Sequence, residues 1–168
     1  MTLIIKNTRQ IEFHTNLNEV VHPFRKEFAS LNWLLTNQEY TLLDYPEKGP
    51  IDKLDHALDK IELTGPELLE IIESRHIQFI WGVFCGIRGN FPDIEDNELP
   101  YADGNTEIWT EPDQFLLAES EIEIICFDSS YTLVKFRERN LEERFKEKFT
   151  DAQILMKNTK FRRNINIK

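Results

Sequence analysis

The sequence predicts a single α+β domain, a mainly antiparallel sheet with flanking helices. Three observations lead there. Ile122 to Phe127 and Tyr131 to Phe136 are apolar runs on either side of Asp128-Ser129-Ser130, the pattern of a strand, a turn and a returning strand. Thr64-Gly65-Pro66-Glu67 is a helix start, since the Thr64 hydroxyl can accept from the Glu67 N–H while the Glu67 carboxylate reaches back and Pro66 suits the first turn. The 168-residue length suits one core, which buries roughly 70% of the surface exposed by the unfolded chain, and twelve Phe are spread from Phe13 to Phe161 to fill it. The expected domain covers residues 1–156, followed by a basic tail at 157–168 with five basic side chains and no acidic one.

In chain order, Leu3 to Ile5 and Ile11 to Phe13 are expected as short strands about a polar turn. A helix then starts at Asn18, because Val20, Val21, Phe24, Phe28 and Leu31 recur at helical spacing; Pro23 lies near enough to the start to be tolerated, and the helix should end near Ser30. Trp33 to Leu35 and Tyr40 to Leu43 form a hairpin about Asn37-Gln38, closed by Pro46 and Gly49-Pro50. Ile51 to Ile61 places Ile51, Leu54, Leu58 and Ile61 on one helical face. The capped helix follows with Leu68, Leu69, Ile71 and Ile72 inward.

Ile77 to Ile87 is apolar almost throughout, as in a central strand covered on both faces, with Gly82 and Gly86 marking a bulge or a close backbone approach. Gly89 to Gly104 reads as a long acidic loop, and Thr106 to Trp109 as a short strand. After the hairpin, Asn140 with Glu143 forms a second capping box that opens a helix through Phe149, and Ala152 to Met156 ends the fold as a strand.

Charge is distributed unevenly. Between Gly89 and Val134 stand twelve carboxylates and no Lys, Arg or His, which more than accounts for the net charge of -10. A field of one sign on part of a surface favours a basic partner. The acidic balance excludes nucleic-acid binding by counterion release, which needs a basic face. The N-terminus has no long apolar segment with a cleavage site and no stretch reaches a membrane span, so the chain is expected to be soluble and cytoplasmic, with no membrane partner. Cys85 and Cys126, without a second Cys or His at metal spacing, suit buried thiols in a reducing compartment, with a cross-strand disulfide as the alternative.

No motif identifies a reaction, and no catalytic residue, metal or cofactor is assigned. His14, His22, His56 and His76 fall in four different elements. Asp93-Ile-Glu-Asp-Asn-Glu98 has the oxygen density of a Ca²⁺ loop without its central Gly and terminal Glu. Asp128-Ser129-Ser130 lacks a nucleophile elbow, and Gly82, Gly86 and Gly89 fit no phosphate-binding pattern. Trp109, flanked by Glu107, Glu111 and Asp113, is an interface anchor if exposed and a core residue if buried.

The acidic run Asp93 to Asp113, together with Glu121-Ile-Glu-Ile-Ile-Cys-Phe-Asp-Ser-Ser-Tyr-Thr-Leu-Val-Lys-Phe136 and the helix to Phe149, resembles the small acidic cytoplasmic immunity proteins of bacterial polymorphic toxin systems and related uncharacterised bacterial families. The resemblance covers about half the chain and carries no functional residue over by motif. It implies a non-enzymatic inhibitor whose carboxylates occupy the cationic groove, or an exosite, of a basic toxin domain. The residues expected to bind that partner are Asp93, Glu95, Asp96, Glu98, Asp103, Glu107, Trp109, Glu111 and Asp113. The alternative is a small-ligand or enzymatic domain with a site assembled near Arg88, His76 and Trp81; a further alternative has the basic tail neutralising the acid block within the protein.

Overall fold

Seven strands, every pair antiparallel, form one sheet in the computed structural model, which describes residues 1–6, 8–44, 53–55 and 57–157. The elements are β1 (Thr2–Ile5), α1 (Leu17–Val21), α2 (Arg25–Ser30), β2 (Asn32–Leu42), β3 (Lys60–Thr64), α3 (Gly65–Ser74), β4 (Ile77–Ile87), α4 (Glu107–Thr110), β5 (Ser120–Phe127), β6 (Tyr131–Phe136), α5 (Arg139–Lys148) and β7 (Gln153–Ile154). Their order across the sheet is β3-β2-β4-β5-β6-β1-β7, so β1 is enclosed between β6 and the short last strand. The α+β class is as expected, and no helix among the described residues is long and apolar enough to cross a membrane.

Strand alternation divides the apolar residues between two faces. Leu3, Ile5, Trp33, Leu35, Phe84, Ile122, Ile124, Cys126, Val134 and Phe136 face α1, α2, α3 and α5, whose Val20, Val21, Phe28, Leu68, Ile71, Ile72, Leu141 and Phe145 complete the larger core. Phe28 stacks on Trp33 at 4.2 Å between ring centroids, and the Trp33 indole N–H donates to the Phe28 carbonyl at 2.9 Å. On the opposite face Ile4, Leu34, Val83, Cys85, Ile87, Ile125 and Leu133 meet Ala102, Ile108 and Leu117 of the segment that joins β4 to β5. β4 is therefore covered on both sides, as its apolar run requires.

Several local expectations are corrected. The Asn37-Gln38 turn does not exist: β2 runs unbroken through it, and Asn37, with φ of 50°, sits where the register with β4 shifts between Thr36 and Glu39. One left-handed residue makes a bulge rather than a reversal when pairing resumes beyond it. Thr106 to Trp109 is not a strand, since Glu107–Thr110 is helical and the Asn105 side chain accepts from the Glu107 N–H at 2.9 Å. The first helix is capped by Asn16 rather than opened at Asn18, and Pro23 splits it with a 3₁₀ turn over His22–Phe24. Asn140 caps nothing: α5 begins one residue earlier, its N-cap is Glu138, and the Glu143 carboxylate pairs with Arg139 at 3.1 Å instead. Ile11 to Phe13 makes bends rather than a strand. Of the helix or helical turn expected over Ile51 to Ile61, the described part holds a 3₁₀ residue at Lys53 but no α-helix, and ends in β3; Ile51, Asp52 and His56, like Pro46, Gly49, Pro50 and the tail beyond Lys157, lie outside the described residues.

The Thr64 capping box is present with both of its hydrogen bonds. Gly86 is a close approach: a Cβ there would lie 2.9 Å from both Leu31 Cδ1 and Trp33 Cη2, and the β4–β5 register shifts immediately after it.

Candidate functional site

The acidic segment is a layer of the fold rather than a free loop. Between Gly89 and Glu119 it has little regular structure, so its polar backbone must find partners elsewhere, and it finds them on the sheet. Thr36 donates its hydroxyl to the Pro100 carbonyl at 2.6 Å, and Asn37 Oδ1 accepts from the N–H groups of Ala102 at 2.8 Å and Asp103 at 3.0 Å. The Thr2 hydroxyl donates to the Pro112 carbonyl, and the Thr2 N–H to Asp113 Oδ1 at 3.1 Å. Lys135 Nζ donates to the Gln114 carbonyl at 2.6 Å, while Glu123 Oε2 accepts from Leu116 N–H at 2.7 Å and Leu117 N–H at 3.3 Å. Phe91, Ile94, Trp109 and Leu116 supply the apolar contacts beneath.

This anchoring separates the nine residues singled out for partner binding. Asp93, Glu95, Asp96, Glu98, Asp103 and Glu107 are exposed and make no ion pair among the described residues. Asp96 and Glu98 lie in a 3₁₀ turn, Asp96–Glu98, which is the only regular structure of the Ca²⁺-like run. Glu111 holds Lys157 Nζ at 2.7 Å and Asp113 holds the Thr2 backbone, so both have structural partners. Trp109 is half-buried, edge-on to Phe127 at 5.0 Å and to Tyr131 at 6.1 Å.

Those three aromatics wall a cleft of about 440 Å³ between α4, the β5–β6 turn and β1. Ile4 and Leu155 complete its apolar lining, Lys6 and the stretch from Gly104 to Thr106 its edge. Trp81 braces Phe127 from behind at 4.6 Å. The turn beside it carries Asp128 and Ser129 at φ of 49° and 54°, and Gly104, at φ of 72°, turns the chain at the other side of the mouth.

Arg88, His76 and Trp81 do not assemble one site. His76 precedes β4 and pairs with Glu12 at 3.0 Å, whereas Arg88 follows β4, a separation of roughly 35–40 Å by strand rise. Arg88 is 67% exposed and lies 4.0 Å from Glu121 and 3.8 Å from Glu138, the ordinary fate of a surface guanidinium. No group of three His, Cys, Asp or Glu among the described residues is placed to hold a metal ion. Cys85 and Cys126 are free and buried on opposite faces of the sheet, which rules out the cross-strand disulfide. Burial pushes both thiols well above their usual range.

One functional-looking residue is missed by reading the acid block as a single surface. Glu123 is fully buried and forms an ion pair with Lys135, itself 2% exposed, with Oε1 2.6 Å from Nζ. The signal was available in the hairpin: the register about the Asp128 turn sets Glu123 opposite Lys135, on the same face. No protein-family model, curated protein or solved structure matches the chain.

Proposed function

We propose that this chain is a non-enzymatic acidic binding protein of the immunity kind, which neutralises a basic protein, such as a toxin domain, by covering its active-site groove or an exosite. The observation that supports it is the state of Asp93, Glu95, Asp96, Glu98, Asp103 and Glu107: six exposed carboxylates without an ion-pair partner among the described residues, on a segment held to the sheet at Pro100, Ala102 and Leu116. A field of one sign raises the rate of encounter with a basic surface. Anchoring the segment before binding removes much of the ordering cost that a free acidic loop would meet. Asp113 and Glu111 contribute by holding the segment in place, and Trp109 supplies an aromatic centre at its edge. Two buried thiols suit the reducing cytoplasm to which this reading assigns the protein.

The test is capture from the native cytosol by wild type and by a variant with Asp93, Glu95, Asp96, Glu98, Asp103 and Glu107 changed to Asn or Gln. One basic protein held by wild type alone, whose own activity falls when the pure chain is added, is the expected result. Equal capture by both proteins, or a captured protein whose activity is untouched, rejects the reading.

A further inference from the structure

We infer that β3, an outer strand of the sheet, pairs antiparallel with β3 of a second copy of this chain about a two-fold axis at Ile61, joining the two sheets into one. The inference is independent of the proposed binding role. A strand at the end of a sheet has N–H and C=O groups along one side that an added strand can take up. The sheet ends in β3 and β7. β7 is two residues long, whereas β3 spans Lys60–Thr64 and pairs with β2 along its whole inner side. A groove of about 590 Å³ lies along β3, lined by Lys60, Ile61, Glu62 and Leu63 in succession. Successive side chains of a strand point to opposite faces, so four in a row border one groove only where it follows the backbone edge between those faces. Leu58, half-exposed, adds an apolar contact to the same groove.

Charge selects both the occupant and its register. Ile61 and Leu63 belong to the core under the helices, which leaves Lys60 and Glu62 together on the other face. Neither makes an ion pair among the described residues. Lys60 Nζ donates to the Ile94 carbonyl at 3.4 Å, which takes one of its three protons. Antiparallel pairing centred on Ile61 sets Lys60 of each copy directly opposite Glu62 of the other, giving two unlike pairs. Centring on Lys60 or on Glu62 would set like charges face to face, centring on Leu63 would set Glu62 against Thr64, and a parallel copy in register would run Lys beside Lys. Charged residues on an edge strand ordinarily discourage strand addition; the order Lys60-Ile61-Glu62 instead favours one register of a copy of itself. The axis stands normal to the sheet, so the acidic segments of both copies lie on the same side of the joined sheet.

A contact this short belongs to the weak class of interfaces, so the experiment is sedimentation equilibrium of the full chain from micromolar to millimolar concentration. Wild type is expected to show a monomer–dimer equilibrium. Lys60→Glu and Glu62→Lys, each alone, make both pairs between the copies like-charged and should raise the dissociation constant about tenfold or more. An equimolar mixture of the two variants restores the unlike pairs between different copies, and the double variant restores them between identical ones; both should associate about as tightly as wild type. That rescue separates lost association from lost folding. Amide exchange in β3 should slow with rising concentration of wild type, which locates the contact. A chain that stays monomeric throughout the range overturns the inference. So does a dimer indifferent to both charge reversals, or a mixture of the two variants that fails to associate.

Discussion

Glu123 and Lys135 are direct cross-strand partners on β5 and β6, with Oε1 2.6 Å from Nζ, on the face of the sheet that the acidic segment covers. Each partner also holds that segment: Lys135 donates to the Gln114 carbonyl, and Glu123 accepts from Leu116 and Leu117. Removing one charge leaves the other buried without compensation, so Glu123→Gln or Lys135→Met is expected to cost about 3–5 kcal/mol. Replacing both, as Glu123→Leu with Lys135→Met, should restore most of the global stability. The Leu116 and Leu117 N–H groups would still lack their acceptor, so amide exchange from Gln114 to Ala118 should remain faster than in wild type. Urea unfolding with hydrogen exchange measures both; slow exchange there in the double variant would show that the pair does not pin the segment.

Asn37 combines a left-handed backbone with two accepted hydrogen bonds from Ala102 and Asp103. Asn37→Gly keeps the backbone at ease and removes the acceptor, whereas Asn37→Ala removes the acceptor and strains the backbone. Alanine is expected to be the less stable variant by about 1 kcal/mol. Both should loosen the segment around Asp103, as limited proteolysis would report. Equal stability of the two variants would mean that β2 relaxes its bulge.

Gly86→Ala forces a methyl against Trp33 and Leu31 from the middle of the sheet. Overpacking of this kind costs about 1–3 kcal/mol. The change should also appear in the near-ultraviolet circular dichroism, because it displaces an indole stacked on Phe28. A thermal melt indistinguishable from wild type would contradict the packing described.

Glu67 gives the fold an acid-sensitive element. The Lys53 ammonium beside it, then the Thr64 N–H and hydroxyl, hold its carboxyl down to about 2 from the 4.5 expected without partners. The folded value lies below the unfolded one, so the stabilisation is full above about 4.5 and is lost as pH falls from there through about 2. The Glu67 side chain is 38% exposed, which limits the effect to about 1 kcal/mol or less. Wild type should exceed Glu67→Gln in unfolding free energy near neutrality and converge with it near pH 2. A difference independent of pH would point to the cap geometry alone.

Cys85 and Cys126 should resist thiol reagents in the folded protein, since burial disfavours the thiolate at both. Labelling at mildly alkaline pH is expected to follow global unfolding, with both sites reacting at the same denaturant concentration. Fast labelling of Cys85 alone would reveal opening of the acidic layer that covers its face.

Elements defined by short-range patterns were legible. Thr64 with Glu67, the hairpin about Asp128 and the two-sided apolar run of β4 depend on neighbours a few residues away, and each lies where its sequence puts it. Where two local signals competed, pairing decided. Asn37 has the left-handed backbone of a turn residue, yet β4 lines up along both sides of it and keeps β2 straight. At Thr106 to Trp109 the β-branched and aromatic residues suggest a strand, but the stretch pairs with no strand among the described residues; Asn105 and the buried Ile108 settle it as a helical turn.

The amino-acid sequence alone determined the fold class, the strands at the centre of the sheet, the capped helix and the sign of the charge between Gly89 and Val134. Only the tertiary structure decided that the acidic block is a layer, that Glu123 belongs to the interior, that Asp113 and Glu111 have partners of their own, and that Trp109, Phe127 and Tyr131 share one cleft. The reason is range. Caps, turns and alternation are written in neighbouring residues, whereas an irregular segment has no period of its own, and its backbone takes whichever donors and acceptors the sheet presents from up to 111 residues away.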